Sequence, residues 1–396
     1  MQQKRGNKRW VLIAAVLLGA YVVFAMVRPL PSIQPQYART EPVVTKTVAL
    51  PWPPSKQVAI GATGYGLLDS SGDQKAAPMA SVAKVMTALA VLKQKPLAIG
   101  QQGPTITFDD TDLSYYQSYA SQGGSVARVV SGENISEYQA LQTMLLPSAN
   151  NVAESLARWA FGSPEAYLTY ANKMASSMGL SQTTMADASG FSAQTLSSAK
   201  DLVTLGLAAM NNPVLAQIAG QSQADVPVAG TIHNTNFLLG SDGFVGIKTG
   251  NTDEAGGCYL FASNQQIGGK TVQLVGAIMG APTLVDAVNN SRTLADDAKN
   301  VFIQTSVIKA GQVLGSYKIP WAGTVPAVAQ ADLTLMAWQS SKLIPAVNLN
   351  EVTAPASANI KTGSVGVYQN QKTTAVPIVI KQPVPKPSFF WRLFHL

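Results

Sequence analysis

The chain has 396 residues, enough for more than one domain, and with 46% hydrophobic and 12% charged residues it can bury a sizeable core. Of its net charge of +7, Lys4, Arg5, Lys8 and Arg9 lie ahead of residue 10, so the body carries no basic stripe and a nucleic-acid partner is excluded. A single cysteine, Cys258, excludes an internal disulfide and a cysteine metal cluster, and two histidines, His233 and His395, give no zinc-peptidase set and leave a Ser-His-Asp triad to His233 alone; no metal or cofactor is expected.

Residues 1–9 read as a basic cytoplasmic tail. Residues 10–27 are 18 consecutive apolar residues, about 27 Å of helix at about 1.5 Å per residue, which predicts a single transmembrane anchor. With the basic cluster ahead of it, the rest of the chain is expected outside the bacterial cytoplasmic membrane. A cleaved signal peptide is the competing reading, but the run is long for one and no small-x-small cleavage site stands clearly at its end. Residues 28–55, with Pro29, Pro31, Pro35, Pro42, Pro51, Pro53 and Pro54, predict an extended tether.

A catalytic domain is expected over 56–303. Alternating apolar positions predict a strand pair over 58–61 and 65–68, ended by the turn-rich 69–73. Helical periodicity follows over 82–92, 135–146, 150–159, 164–178 and 199–210. Strands return over 243–248, 257–262 and 271–279, before a helix over 284–303. That order implies an α/β (α+β) domain, a sheet flanked by helices with a helical subdomain inserted. From 304 to 382, short Val-, Ile- and Thr-rich runs broken by Gly and Pro predict a small all-β domain. The Pro-rich tail 383–396 ends in an aromatic, Arg392-bearing tip that can either enter a membrane interface or dock on the protein.

Ser81 opens the first helical pattern, near the positive end of the helix dipole, with Lys84 one turn later on the same face. A serine attacks as its proton leaves, and a lysine takes that proton near neutral pH when burial and a second cation depress its pKa. The Ser-x-x-Lys pattern alone is weak. Ser197 with Lys200 and Ser306 with Lys309 also match it, and read as a helix cap or an exposed face. What singles out Ser81 is order: Ser148-Ala149-Asn150 follows at a helix junction, and Lys248-Thr249-Gly250 ends a strand. A second copy of the two later motifs, Ser357-Ala358-Asn359 and Lys361-Thr362-Gly363, has a one-residue connection, too short to span a substrate at about 3.3 to 3.6 Å per residue. Cys258 lies in an apolar run and reads as a buried core thiol.

Ser-x-x-Lys, Ser-x-Asn and Lys-Thr-Gly in that order are the signature of the penicillin-binding and serine β-lactamase superfamily. Residues 66–281 resemble the low-molecular-mass D-alanyl-D-alanine carboxypeptidases through 78–88, 144–151, His233-Asn234-Thr235-Asn236 and 246–252. Residues 354–355 and 363–366 resemble that family's β-rich carboxy-terminal domain. The resemblance implies a β-lactamase/transpeptidase-like fold and removal of the terminal D-alanine from peptidoglycan pentapeptides, with β-lactam antibiotics as covalent inhibitors. It assigns Ser81 as nucleophile, Lys84 as its base, and the backbone N–H groups of Ser81 and Asn251 as the oxyanion hole. Ser148 would relay a proton to the leaving D-alanine, and Asn150 would bind substrate backbone and orient Lys84. Lys248 would supply positive field, Thr249 would hold the terminal carboxylate, and Gly250 would let the strand approach the ligand. Some members carry His at the position of Asn251 and Arg at that of Thr235. His233 reads as a histidine hydrogen-bonding a loop near the site. A D,D-endopeptidase uses the same residues; a β-lactamase would add a Glu-x-x-Leu-Asn element not evident here, and an inactive wall-binding scaffold would need none of these side chains.

Overall fold

The computed structural model describes residues 4–369 and 372–395; within the basic tail, residues 1–3 lie outside the described residues, as does Leu396. The chain divides into two compact units, Val48–Phe302 and a second that joins Met1–Thr47 to Ile303–Leu396.

In the larger unit five antiparallel strands lie in the order Phe244–Thr252, Gly256–Ile267, Lys270–Ala281, Gln57–Ala62, Gly66–Gly72. Side chains alternate between the two faces of a strand. Cys258, Leu260 and Ala262 accordingly join the core that holds the helices, whereas Tyr259 and Phe261 stack with Phe244 on the other face. The insert between strands Gly66–Gly72 and Phe244–Thr252 is helical. Its helix Lys84–Gln94 is buried at every position from Lys84 to Leu92, as befits a helix without a polar face. Helix Ala199–Asn211 packs on the sheet at Gly206, where a Cβ would lie 2.8 Å from Leu260 and from Val275.

Two helices fall outside the expected ones. Asp110–Ser121 is polar and held at its start by a capping box between Asp109 and Asp112, whose carboxylates also bind Arg158 at 2.9 and 2.7 Å. Pro213–Ala219 is a short helix capped by Asn212. The last helix ends at Lys299, not 303, and the chain continues into strand Phe302–Ile308.

In the second unit six strands run in the order Pro35–Tyr37, Val313–Ile319, Gly323–Ala329, Lys372–Ile380, Lys361–Gln369, Pro345–Leu349. The expected tether is therefore corrected in its first half: Pro35–Tyr37 pairs with Val313–Ile319, and Val43–Val44 with Lys342–Leu343. Proline enforces extended backbone, and a sheet edge tolerates its missing N–H, so the composition of a tether is also that of an edge strand. The competing motif copies are structural. Ser306 lies on strand Phe302–Ile308, Ser197 ends strand Leu196–Ser197 with its hydroxyl 2.8 Å from that of Thr183 while the next residue, Ser198, caps helix Ala199–Asn211, and a Cβ on Gly363 would lie 2.0 Å from the Asn348 carbonyl of the partner strand.

Helix Lys4–Val27 includes a stretch, Lys8–Val27, long and apolar enough to cross a membrane. The carboxy-terminal aromatic segment folds as helix Phe389–Phe394, capped by Ser388, and docks on the end of Lys4–Val27. The last carbonyls of a helix lack intrahelical partners. Here the Arg392 guanidinium donates to those of Ala25, Met26 and Arg28, and Arg28 donates back to the Arg392 carbonyl at 3.2 Å. Trp391 packs against Trp321 at 4.7 Å between ring centroids.

Candidate active site

Ser81 lies in a 3-10 turn, Ala80–Ala83, that leads into helix Lys84–Gln94, so Lys84 is the first residue of the α-helix and faces back over the turn. Its amine is fully buried. Lys84 Nζ lies 2.8 Å from Ser81 Oγ, 2.7 Å from Asn150 Oδ1 and 2.8 Å from the Ser189 carbonyl oxygen. Two of these three neighbours accept hydrogen bonds but have no proton to give. A neutral amine has two N–H groups, which those acceptors satisfy, and its remaining lone pair then meets the hydroxyl of Ser81. Burial first, and the Lys248 ammonium second, hold Lys84 well below the ordinary lysine pKa, while Asp187 and Glu154 pull the other way. The environment thus favours the proton-accepting form.

The Ser189 carbonyl comes from a tight loop that motif reasoning did not reach. Asp187 accepts from the N–H groups of Gly190 at 3.1 Å and Phe191 at 2.9 Å, and from the Ser189 hydroxyl at 2.6 Å. Gly190 has φ +77°, and a Cβ there would lie 1.9 Å from the Ala80 carbonyl oxygen, so glycine lets the loop sit against the Ala80–Ala83 turn. The run Asp187-Ala188-Ser189-Gly190 carries turn chemistry, but nothing in it tells which carbonyl meets a lysine.

The second wall begins at Asn150, the first residue of helix Asn150–Phe161, whose N–H is held by the Ser125 carbonyl at 2.8 Å. Two residues earlier Ser148 is buried at φ +67°, and Ala80, ahead of Ser81, has φ +49°. Non-glycine residues in that region cost about 1 to 3 kcal/mol each and cluster at functional sites. Among the described residues no side-chain hydrogen bond joins Ser148 to the Lys84 cluster.

The third wall is strand Phe244–Thr252 at the edge of the sheet. A Cβ on Gly250 would lie 2.9 Å from Ser81 N and 3.0 Å from Ala80 Cβ, so the strand packs directly on the Ala80–Ala83 turn. Lys248 is buried, donates to the Thr249 carbonyl at 3.0 Å and lies 3.4 Å from Thr235 Oγ1; burial lowers its pKa to about 7. The hydroxyls of Thr235 and Thr249 are 2.8 Å apart. Asn251 is exposed and pairs with Gly257 at the strand's end. His233 is also exposed, at the end of strand Gly230–His233, and among the described residues its ring makes no hydrogen bond, so it does not brace a loop as its sequence context suggested. Cys258 is buried, and burial pushes its thiol up to about 11.

A serine hydroxyl set on a buried lysine amine, beside a sheet edge bearing a second lysine, defines the serine acyl-transfer enzymes that use no histidine. The profile of the D-alanyl-D-alanine carboxypeptidases matches residues 56–283. The chain belongs to that family of serine-type hydrolases. It is 25% identical over 358 residues to the D-alanyl-D-alanine carboxypeptidase DacA of Escherichia coli strain K12, across 84% of this chain and 83% of DacA. It is 30% identical over 190 residues to a D-alanyl-D-alanine endopeptidase of Pseudomonas aeruginosa, across 46% and 58% of the two chains. The fold is similar to that of penicillin binding protein 5 from Haemophilus influenzae, with a TM-score of 0.60 at 18% identity over 86% of this chain and all of that one.

Proposed function

We propose that Ser81 is the nucleophile with which this chain removes the terminal D-alanine from peptidoglycan stem peptides. The observation that carries this reading is the place of Lys84 Nζ, 2.8 Å from Ser81 Oγ and within 2.8 Å of two acceptors without protons, Asn150 Oδ1 and the Ser189 carbonyl oxygen. Ser81 Oγ attacks the carbonyl of the D-Ala-D-Ala amide as its proton passes to Lys84. The oxyanion develops at the N–H groups of Ser81 and Asn251. The C–N bond then breaks, and the proton held by Lys84 passes through the Ser148 hydroxyl to the departing amine, which leaves Lys84 and Ser148 as they began. Asn150 holds Lys84 in register and binds the substrate backbone. Lys248, Thr249 and the adjoining hydroxyl of Thr235 receive the terminal carboxylate. Gly250 keeps the unpaired sheet edge close enough for an extended peptide to lie along it. Water hydrolyses the acyl-enzyme and regenerates Ser81. β-Lactams enter as mimics of the scissile amide and remain on the serine.

The membrane placement rests on stretch Lys8–Val27, preceded by the basic residues Lys4 and Arg5, which together support a single-pass anchor with the catalytic unit outside the cytoplasm. The likeness to endopeptidase relatives favours a second activity at the same site, cleavage of D,D-cross-links.

The test gives the purified chain a pentapeptide ending in D-Ala-D-Ala and, separately, a D,D-cross-linked dimer. Free D-alanine from the pentapeptide is the expected result. Cleavage of the dimer alone would replace carboxypeptidase by endopeptidase, and absence of both products, also with Ser81 intact, would refute the reading.

A further inference from the structure

Helix Asn150–Phe161 carries a second polar residue on the face that holds Lys84. Four positions beyond Asn150, and so on the same side of the helix, Glu154 is buried. Its Oε1 accepts from the Tyr119 hydroxyl at 3.0 Å and from the Ala188 N–H at 3.2 Å. Ala188 immediately precedes Ser189, whose carbonyl is the second acceptor of Lys84, and the Ala188 carbonyl is fixed from the nucleophile helix by Thr87 Oγ1 at 2.6 Å. One helix therefore grips the lysine twice, directly through Asn150 and indirectly through Glu154 and the loop. The groups facing Glu154 are Lys84 on Lys84–Gln94, Tyr115 and Tyr119 on Asp110–Ser121, Asp187 on the loop and Tyr167 on Pro164–Ser177.

We propose that Glu154 is a positioning residue for acylation: it holds the Ser189 carbonyl on Lys84, and its carboxylate stabilises the ammonium that Lys84 becomes when it takes the Ser81 proton. Lys84 is desolvated beside Lys248, so taking the Ser81 proton creates a buried cation, and a carboxylate behind the loop lowers the cost of that cation. The same field makes Lys84 harder to deprotonate, in line with the upward pull of Glu154 against burial and Lys248. The inference rests on Lys84 being the base.

The experiment measures the second-order rate constant of acylation by a labelled penicillin from pH 4 to 9 in wild type, Glu154→Gln, Glu154→Asp and Lys84→Met. Wild type should show an acid limb, and Lys84→Met should lose acylation; failure of either refutes the base itself and not Glu154 alone. Glu154→Gln should acylate about tenfold more slowly on the plateau, with its acid limb moved about one pH unit lower, because the lysine then loses its proton more readily. Glu154→Asp keeps the charge but not the reach, so its limb should stay with wild type while its rate falls a few-fold. A Glu154→Gln profile that superimposes on wild type overturns the proposal. So does a uniform loss at every pH with an unmoved limb, which marks a purely structural residue. Should Glu154→Gln not fold, Glu154→Asp decides: wild-type rates from it would overturn the positioning role.

Discussion

Lys84 has three polar neighbours and, when neutral, two protons to give them, so a change at this residue acts on chemistry before it acts on packing. Lys84→Met keeps the length and apolar bulk of the side chain and removes the base. Acylation by penicillin should fall about 10² to 10⁴-fold, the range that a positioned base supplies, while the melting temperature of the catalytic unit stays close to wild type. The pH dependence follows from the sign of the shift. Burial first and the Lys248 charge second lower the Lys84 pKa, and the amine becomes an inert ammonium as pH falls through its folded value. Acylation should therefore show a plateau above that value and a decline below it, read from rate constants across pH. The contact of Ser81 with Lys84 was legible in the sequence because residues three apart face one another across a helical turn, 3-10 or α. The Ser189 carbonyl was not, since backbone groups carry no residue signature and the contact spans loops distant in sequence.

At the scale of elements, Gly250 lets strand Phe244–Thr252 rest on the nucleophile turn. Gly250→Ala places a methyl 2.9 Å from Ser81 N and should displace one against the other. A displacement of that order costs about 10²-fold in kcat/KM, measured by D-alanine release, with a small change in melting temperature. Helix Glu137–Leu145 stores a different liability at its first residue. Both carboxyl oxygens of Glu137 are buried without a hydrogen-bond partner, and burial raises its pKa to about 7 against the opposing pull of Lys95. A carboxyl whose folded pKa lies above its unfolded value is held best when protonated, so this contribution is lost as pH rises from about 4.5 to 7. Glu137→Gln should be about 1 to 2 kcal/mol more stable than wild type at pH 8 and indistinguishable from it at pH 5, by denaturant unfolding at each pH. The buried helices were legible from apolar periodicity, whereas helix Asp110–Ser121 was hidden because caps and the Arg158 ion pairs, not an apolar stripe, fix it.

For the whole molecule, the residues ahead of the catalytic unit divide at about residue 30 into a membrane-length helix and a piece of β-sheet. A chain starting at Ser32 should keep the β unit's unfolding transition, whereas one starting at Val48 loses the edge strand Pro35–Tyr37 and the pair Val43–Val44 and should unfold that unit at lower temperature. Calorimetry of the two truncated chains checks this. The sequence pattern distinguished an α+β body from an all-β one because helical and strand periodicities separate along the chain. It missed the amino-terminal strands because their partners lie about 280 to 300 residues away and proline marks tethers and sheet edges alike.

Mapping of the penicillin adduct on a chain that starts at Ser32 tests the catalytic assignment most directly. Proteolysis and mass spectrometry should find one adduct per chain, on the peptide that contains Ser81, and none in Ser81→Ala. An adduct on Ser148 or on any other serine, or a Ser81→Ala chain that still acquires label, would contradict the account.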